Sequence, residues 1–359
     1  MNEIDFNEIT ERDNLAVVYK VEKLEPIQGK DFIEIVYLKD CGYTTVCEKG
    51  HKVGDLVVFI KYDTIVPDNE LFAFMKDNKF RVKAKSFTEK NHDGWVTGKI
   101  YSQGIVLPLK NVTNFLDDIL SWDLKEGNDV TSELGVKKYI PPVQGSGTSF
   151  GNMQSSGSFP TEIVSKTDEL NICTYMNALE EIVGLPVYVT QKLEGSSLTA
   201  GYDNDGEFFV CSRNNKLKEN DNKFWEAVAN AGLKEKLANI PNIIVQGELC
   251  GPGIQKNKLG LDKPMVFIFN AVDIKNRRRL SYDELLYLEK EFGIPLVPIC
   301  CEINSFDWTF DKLQKYSDIQ KYNNGETAEG IVIRPKEPFY SNVLKDTWSL
   351  KCINREYKL

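Results

Sequence analysis

The stretch GSGTSFGNMQSSGSF at residues 145–159 constrains this chain more than any other segment. It offers few apolar side chains to a core, and its glycines and serines carry much conformational freedom that folding would have to remove. With Pro141-Pro142 just ahead of it, it reads as a flexible linker. A chain of 359 residues divided here leaves two segments, each long enough to bury its own core.

Ahead of the linker the sequence consists of short β-type runs: AVVYKVEKL, FIEIVYL, DLVVFI, WVTGKIY and GIVLPL. Gly, Asp and Lys clusters separate them and helical periodicity is slight, so a small β-barrel is expected, and an OB-fold suits the size. Basic residues also gather here. Residues 76–90 (KDNKFRVKAKSFTEK) carry six Lys/Arg against two acids, although the whole chain has a net charge of -9. Either such a cluster is a solvated face, or it is a local stripe that holds phosphates on an acidic protein. Lys83 and Lys85 stand two apart in a strand-like run, which would put them on one face, able to track one nucleic-acid backbone. KNRRR at 275–279 is a second basic cluster.

Beyond the linker, periods of both kinds alternate. DELNICTYMNALEEIVG (168–184) places Leu170, Cys173, Met176, Leu179 and Ile182 at helical spacing, with Thr167 or Asp168 as N-cap. KFWEAVANAGLKEKLANI (223–240) and SYDELLYLEKEFGI (281–294) read as helices too. PVYVTQKL, SLTAGY, EFFVCS, NIIVQGEL, MVFIFNAVDI, EGIVIRP and WSLKCI read as strands. The fold class is therefore α+β. Its layout is an OB-fold barrel over 1–115, a connecting segment with the linker over 116–158, and a second domain with antiparallel sheets over 159–359.

Several chemistries are set aside by what is missing. The eight cysteines form no C-x-x-C, and with two histidines they lack the spacing of a zinc site, so they read as reduced core residues. Two histidines also leave little room for Ser–His or Cys–His catalysis. Gly145-Ser146-Gly147 lacks the later glycine of a dinucleotide motif, and Gly98-Lys99 runs into Ile100, where a P-loop needs Ser or Thr. The opening MNEIDFNEIT has no basic and apolar regions of a signal peptide, and no apolar run is long enough to span a membrane, so the expected compartment is the cytosol, or the nucleus.

What remains is an ordered series of polar residues at the strand ends of the second segment: Lys192-Leu193-Glu194-Gly195, Ser212-Arg213-Asn214, Gly247-Glu248-Leu249, Phe267 and Phe269 before Asn270, Glu329-Gly330, and Lys351. Three carboxylates offer hard oxygen ligands to Mg²⁺ or Mn²⁺, and the bases suit phosphate. A K-x-[DE]-G tetrapeptide alone would arise by chance in roughly one chain of this length in three. The series is what carries weight. In it the chain resembles the covalent nucleotidyltransferase superfamily of ligases and capping enzymes: KLEG looks like its motif I, SRN motif Ia, GEL motif III, VFIFN motif IIIa, EGIVIR motif IV and SLKCI motif V. GELCGPGIQKNK (247–258) and FPTEIVSKTDE (159–169) narrow the likeness to ATP-dependent RNA ligases of the nick-sealing type. VGDLVVFIKYDTIVP, YSQGIVLPL and EGNDVTSELGVKKYIPP resemble the N-terminal half of the branch whose OB domain comes first. Two positions depart from that pattern: Ser349 and Asn171 stand where relatives often carry Lys and Arg.

The resemblance implies a nucleotidyltransferase (ATP-grasp-like) second domain that uses ATP with Mg²⁺ or Mn²⁺ and joins 3′-OH to 5′-phosphate ends. Lys192 would be the nucleophile that takes AMP, and Lys351 would neutralise the α-phosphate. Gln191, Glu194, Arg213, Glu248, Phe269, Glu329 and Lys351 would bind the nucleotide, with Phe269 stacked on adenine. Glu194, Glu248 and Glu329 would hold metal. Arg213, Lys83 and Lys85 would contact nucleic acid, a nicked RNA or RNA/DNA duplex, and the protein would work as a monomer. The competing readings are a DNA ligase or capping guanylyltransferase, in which an OB domain follows motif V, and a nucleic-acid-binding module with a degenerate ligase domain. Only eight residues follow Lys351, and the residue series is intact, which favours the RNA ligase.

Overall fold

The computed structural model describes residues 14–90, 96–116, 124–139, 152–167 and 169–357. The chain separates into two compact units, Met1–Pro142 and Val143–Leu359. Pro141-Pro142, the first half of the Gly/Ser stretch and Asp168 lie outside the described residues.

In the first unit, five antiparallel strands run in the order Thr45–Glu48, Ile33–Leu38, Ala16–Pro26, Leu56–Lys61 and Gly104–Pro108. Alternation of the valines and isoleucines puts Val18, Val58 and Ile60 on the inner face, fully out of water. The two outer strands close toward each other: Thr45 Oγ1 donates to the Gly104 carbonyl at 3.1 Å, and the Gln103 N–H to the Thr44 carbonyl at 2.8 Å. This is a nearly closed OB-type barrel. Its core extends beyond the expected boundary at 115. Leu124, Val130, Leu134 and Val136, placed by sequence in the connecting segment, pack with Val18 and Val58. The Thr131 hydroxyl accepts from the Leu15 and Ala16 N–H groups, both at 2.9 Å.

The second unit has a seven-stranded sheet, ordered Ser155–Ser158, Asn215–Leu217, Phe208–Cys211, Ser196–Tyr202, Ile243–Cys250, Met265–Asp273 and Arg278–Arg279. Beside it stands a five-stranded sheet, ordered Leu170–Asn171, Leu350–Ile353, Gly330–Pro335, Val187–Lys192 and Ile299–Ile303. Helices Lys223–Ala231 and Leu233–Ala238 cover the apolar face of the larger sheet, where Leu198, Val245 and Ile268 are fully buried.

Three expectations are corrected here. The end of the supposed flexible linker, Ser155–Ser158, is an edge strand on Asn215–Leu217, because its backbone finds ladder partners that need no apolar side chain. The helix expected over 168–184 is instead the short strand Leu170–Asn171, parallel to Leu350–Ile353, followed by a 3₁₀ helix over Met176–Ile182. The helix expected over 223–240 is broken at Gly232, whose φ of 62° ends one helix and opens the next. Helices Leu109–Leu116 and Phe310–Asp318 were not anticipated.

Candidate active site

Lys192 ends its strand opposite Gly330, so the ladder itself brings the KLEG and EGIVIRP segments together. Across the larger sheet, Glu248 pairs with Ser197 on one side and Phe267 on the other. The two sheets enclose a cavity of about 480 Å³, lined among others by Gln191, Lys192, Arg213, Glu248, Phe269 and Lys351. Six of the residues named from sequence thus share one space.

Two glycines make this approach possible. A Cβ on Gly195 would sit 2.3 Å from the Leu249 carbonyl oxygen, and one on Gly330 would sit 2.2 Å from that of Cys352. Gly330 also has a φ of 149°, which side-chain-bearing residues rarely adopt.

The Lys192 ammonium lies 2.8 Å from Glu329 Oε1. Burial alone would depress its pKa, but the carboxylates of Glu329 and Glu248 outweigh burial and hold it above the ordinary lysine value. Glu248 is pushed up to about 7, because burial penalises its charge more than Lys192 relieves it. A half-buried acid so poised, beside a second one, is a donor set that a hard divalent cation would satisfy. Glu194 does not join them. It is outside the cavity lining and 5% exposed, and its Oε2 accepts from the Lys258 N–H at 3.4 Å. Among the described residues no group of three or more His, Cys, Asp or Glu is placed to hold a metal.

Gln191 lines the cavity while its Nε2 donates to the Lys321 carbonyl at 2.8 Å. Arg213 is exposed at the rim. Phe269 faces the cavity, whereas the next residue, Asn270, turns to the other side of the strand and donates to Gln246 Oε1 at 2.7 Å. The guanidinium of Arg334 lies 5.5 Å from the Phe269 ring centre.

Arg334 and Glu169 also line this cavity, and sequence reasoning did not single out either one. Glu169 accepts from Arg334 Nη2 through one oxygen and from the Ser349 hydroxyl through the other. Burial opposes its charge, yet Arg334 and Ser349 hold its pKa below the ordinary carboxylate value. Asn171, the other departure from the family pattern, is buried and caps the Cys173 N–H at 3.0 Å.

Lys83 and Lys85 belong to the other unit, and both are exposed. They do not sit in one strand. Arg81–Val82 ends before Lys83, and a new strand starts at Lys85, so strand alternation does not place them on a common face.

The family model for RNA ligase matches residues 185–352, and an OB-fold domain model matches residues 15–109. The second unit thus carries an RNA ligase family domain. The fold of the chain is shared, at a TM-score of 0.76 and 28% identity, with a lysine-to-alanine variant of Naegleria gruberi RNA ligase solved with ATP and Mn, over 95% of this chain and 97% of that one. A glutamate-to-alanine variant of the same ligase, solved with AMP and Mn, gives a TM-score of 0.77 at 27% identity, with the same coverage. A comparison with curated proteins gives no match. In chain order, an OB-type unit therefore precedes the RNA ligase domain. No helix among the described residues is long and apolar enough to cross a membrane.

Proposed function

We propose that this chain is an ATP-dependent RNA ligase that seals nicks in duplexes whose 3′-OH side is RNA, in three transfers. Lys192 Nζ attacks the α-phosphorus of ATP and pyrophosphate leaves, giving lysine–AMP. A 5′-phosphate oxygen then attacks that AMP phosphorus and frees the lysine. Last, a 3′-hydroxyl attacks the activated 5′-phosphate and AMP departs. The observation that carries this reading is a lysine at a cavity wall, 2.8 Å from Glu329, with Glu248, Phe269 and Lys351 lining the same cavity.

The residues divide the work. Phe269 stacks on the adenine, and Arg213 at the rim suits a ribose or 5′-phosphate contact with its bidentate fork. Lys351 places a cation where charge grows on the α-phosphate, which is where it most favours the transition state. Mg²⁺ or Mn²⁺, held by Glu248 and Glu329, would neutralise phosphate charge. With those two carboxylates neutralised, burial would weigh more heavily on Lys192, and burial favours the uncharged amine that attacks. In the first unit, Lys83 and Lys85 are proposed to contact the nucleic-acid backbone.

Intact-mass measurement tests the first transfer. ATP with Mg²⁺ adds one AMP to the protein, GTP does not, and Lys192→Ala removes the adduct. An adduct that survives that substitution overturns the assignment.

A further inference from the structure

The segment KYNNGETA ahead of Glu329 attracts no attention in the sequence, yet it carries a phenol into the centre of the active site. Tyr322 is 4% exposed. Its hydroxyl donates to the Lys192 carbonyl at 3.1 Å. It accepts from the Glu194 N–H at 3.0 Å and from the Glu329 N–H at 3.2 Å. A phenol has one proton and two lone pairs, and all three are used on the backbones of three residues from two separate motifs.

The hydroxyl is itself held firmly. Residues 321–327 form a tight hairpin: Lys321 bridges Thr327, the Tyr322 N–H meets the Glu326 carbonyl at 2.8 Å, and the Gly325 N–H meets the Tyr322 carbonyl at 2.8 Å. Asn324 Nδ2 ties the tip to the Lys258 carbonyl at 2.7 Å. The ring packs with Leu193, Cys250, Val297 and Ala328. Burial pushes its pKa well up, so the proton needed for the Lys192 carbonyl stays in place.

We infer that Tyr322 is a positioning residue for lysine–AMP formation: its hydroxyl fixes the backbone of the Lys192-Leu193-Glu194 turn against Glu329. The Lys192 strand and the Glu329 strand already share a ladder, but that ladder stops at the Lys192–Gly330 pair. Beyond it, the chain on both sides leaves regular structure. The Glu194 and Glu329 N–H groups and the Lys192 carbonyl then have one common partner to set their spacing. Because a backbone shift at Lys192 moves Nζ relative to the α-phosphorus, losing the hydroxyl lowers the rate of attack more than it lowers ATP affinity, which rests on the stacking and phosphate-binding side chains.

This inference rests on the proposed lysine–AMP chemistry, and the experiment separates the two. Full-length protein and Tyr322→Phe are compared in single-turnover lysine–AMP formation across ATP concentrations. The variant keeps the ring and loses only the hydroxyl. Its maximal rate falls about 100-fold while half-saturation by ATP stays within about twofold. Leu237→Ala, in a fully apolar region of the same unit, serves as a control for lost stability and keeps the wild-type rate per folded molecule. Asn324→Ala, an exposed change that loosens the hairpin tip, shows the same split at a few-fold scale, and it reports even if Tyr322→Phe folds poorly. A Tyr322→Phe rate per folded molecule equal to that of the Leu237→Ala control, or an Asn324→Ala rate equal to wild type, overturns the inference. Absence of any adduct in the wild-type protein would instead overturn the proposed chemistry.

Discussion

Glu329 and Glu169 are both acids paired with a base beside the same cavity, and they differ in what the base can do. Glu329 meets Lys192. An ammonium can give up its proton and its strength as a partner once its surroundings change. Glu169 meets Arg334, and both of its oxygens are engaged, the second by Ser349. A guanidinium does not deprotonate in a protein, so this pair is permanent. In the proposed reaction the first pair is undone during each turnover, and the second holds the cavity wall in place while that happens. Burial differs in the same sense: the side chains of Arg334 and Glu169 are 9% and 17% exposed, against 21% and 20% for Lys192 and Glu329.

The contrast can be broken most severely at the labile pair. Glu329→Ala and Glu248→Ala each slow lysine–AMP formation by orders of magnitude in a single-turnover assay, because several kcal/mol of charge stabilisation is lost. Their thermal midpoints stay near wild type. The permanent pair responds the other way. Arg334→Met leaves Glu169 buried without its ion-pair partner, with the Ser349 hydroxyl still in place, at a cost of about 3–5 kcal/mol, and lowers the unfolding midpoint by roughly 10 °C. The double change Arg334→Met with Glu169→Leu recovers much of that loss. A stable Arg334→Met single variant would mean that the two pairs are alike.

Acid sharpens the comparison. The Glu169 pKa is depressed in the folded protein, so its contribution to stability is complete above the unfolded value, near 4.5, and disappears as pH falls through the folded value. The difference in midpoint between wild type and Glu169→Gln is therefore constant from pH 6 to pH 8 and shrinks below about pH 4.5. A difference that widens in acid would reverse the sign of the coupling. The smallest effect expected is that of Ser349→Ala. It removes one hydrogen bond to a charged group, worth about 1.5–3 kcal/mol at most, and lowers the midpoint by a few degrees, with Arg334 still in place.

Much of the second unit was legible in the sequence because its strands are long apolar runs closed by polar residues, and several of those polar residues line the cavity. Lys192, Glu248, Phe269 and Lys351 were found this way, and all line the cavity. What could not be read depends on contacts distant in sequence. Glu169 gains its role from Arg334 and Ser349, the latter 180 positions away, and Tyr322 gains its role from backbone groups up to 130 positions away. The apolar spacing of 168–184 mimics a helix because a short strand followed by a 3₁₀ turn also brings Cys173, Leu179 and Ile182 inward. Asn171 and Ser349 looked like lost cations. In the fold one caps a backbone amide and the other secures an acid, a use that charge patterning cannot reveal. Gly/Ser composition likewise could not show that Ser155–Ser158 would serve as an edge strand.

The lack of room around Gly195 and Gly330 has a consequence for how such proteins decay. A copy of this chain freed from selection for catalysis can exchange Lys192 for many residues, since the proposed nucleophile ends a strand beside a cavity that has room for other side chains. It cannot exchange either glycine without pushing a strand off its neighbour. Drift should therefore erase the lysine first and the glycines last. In a lineage that keeps the fold for some other use, the glycines that follow the acids would persist as the fossil of the reaction, after the residue that performed it has gone.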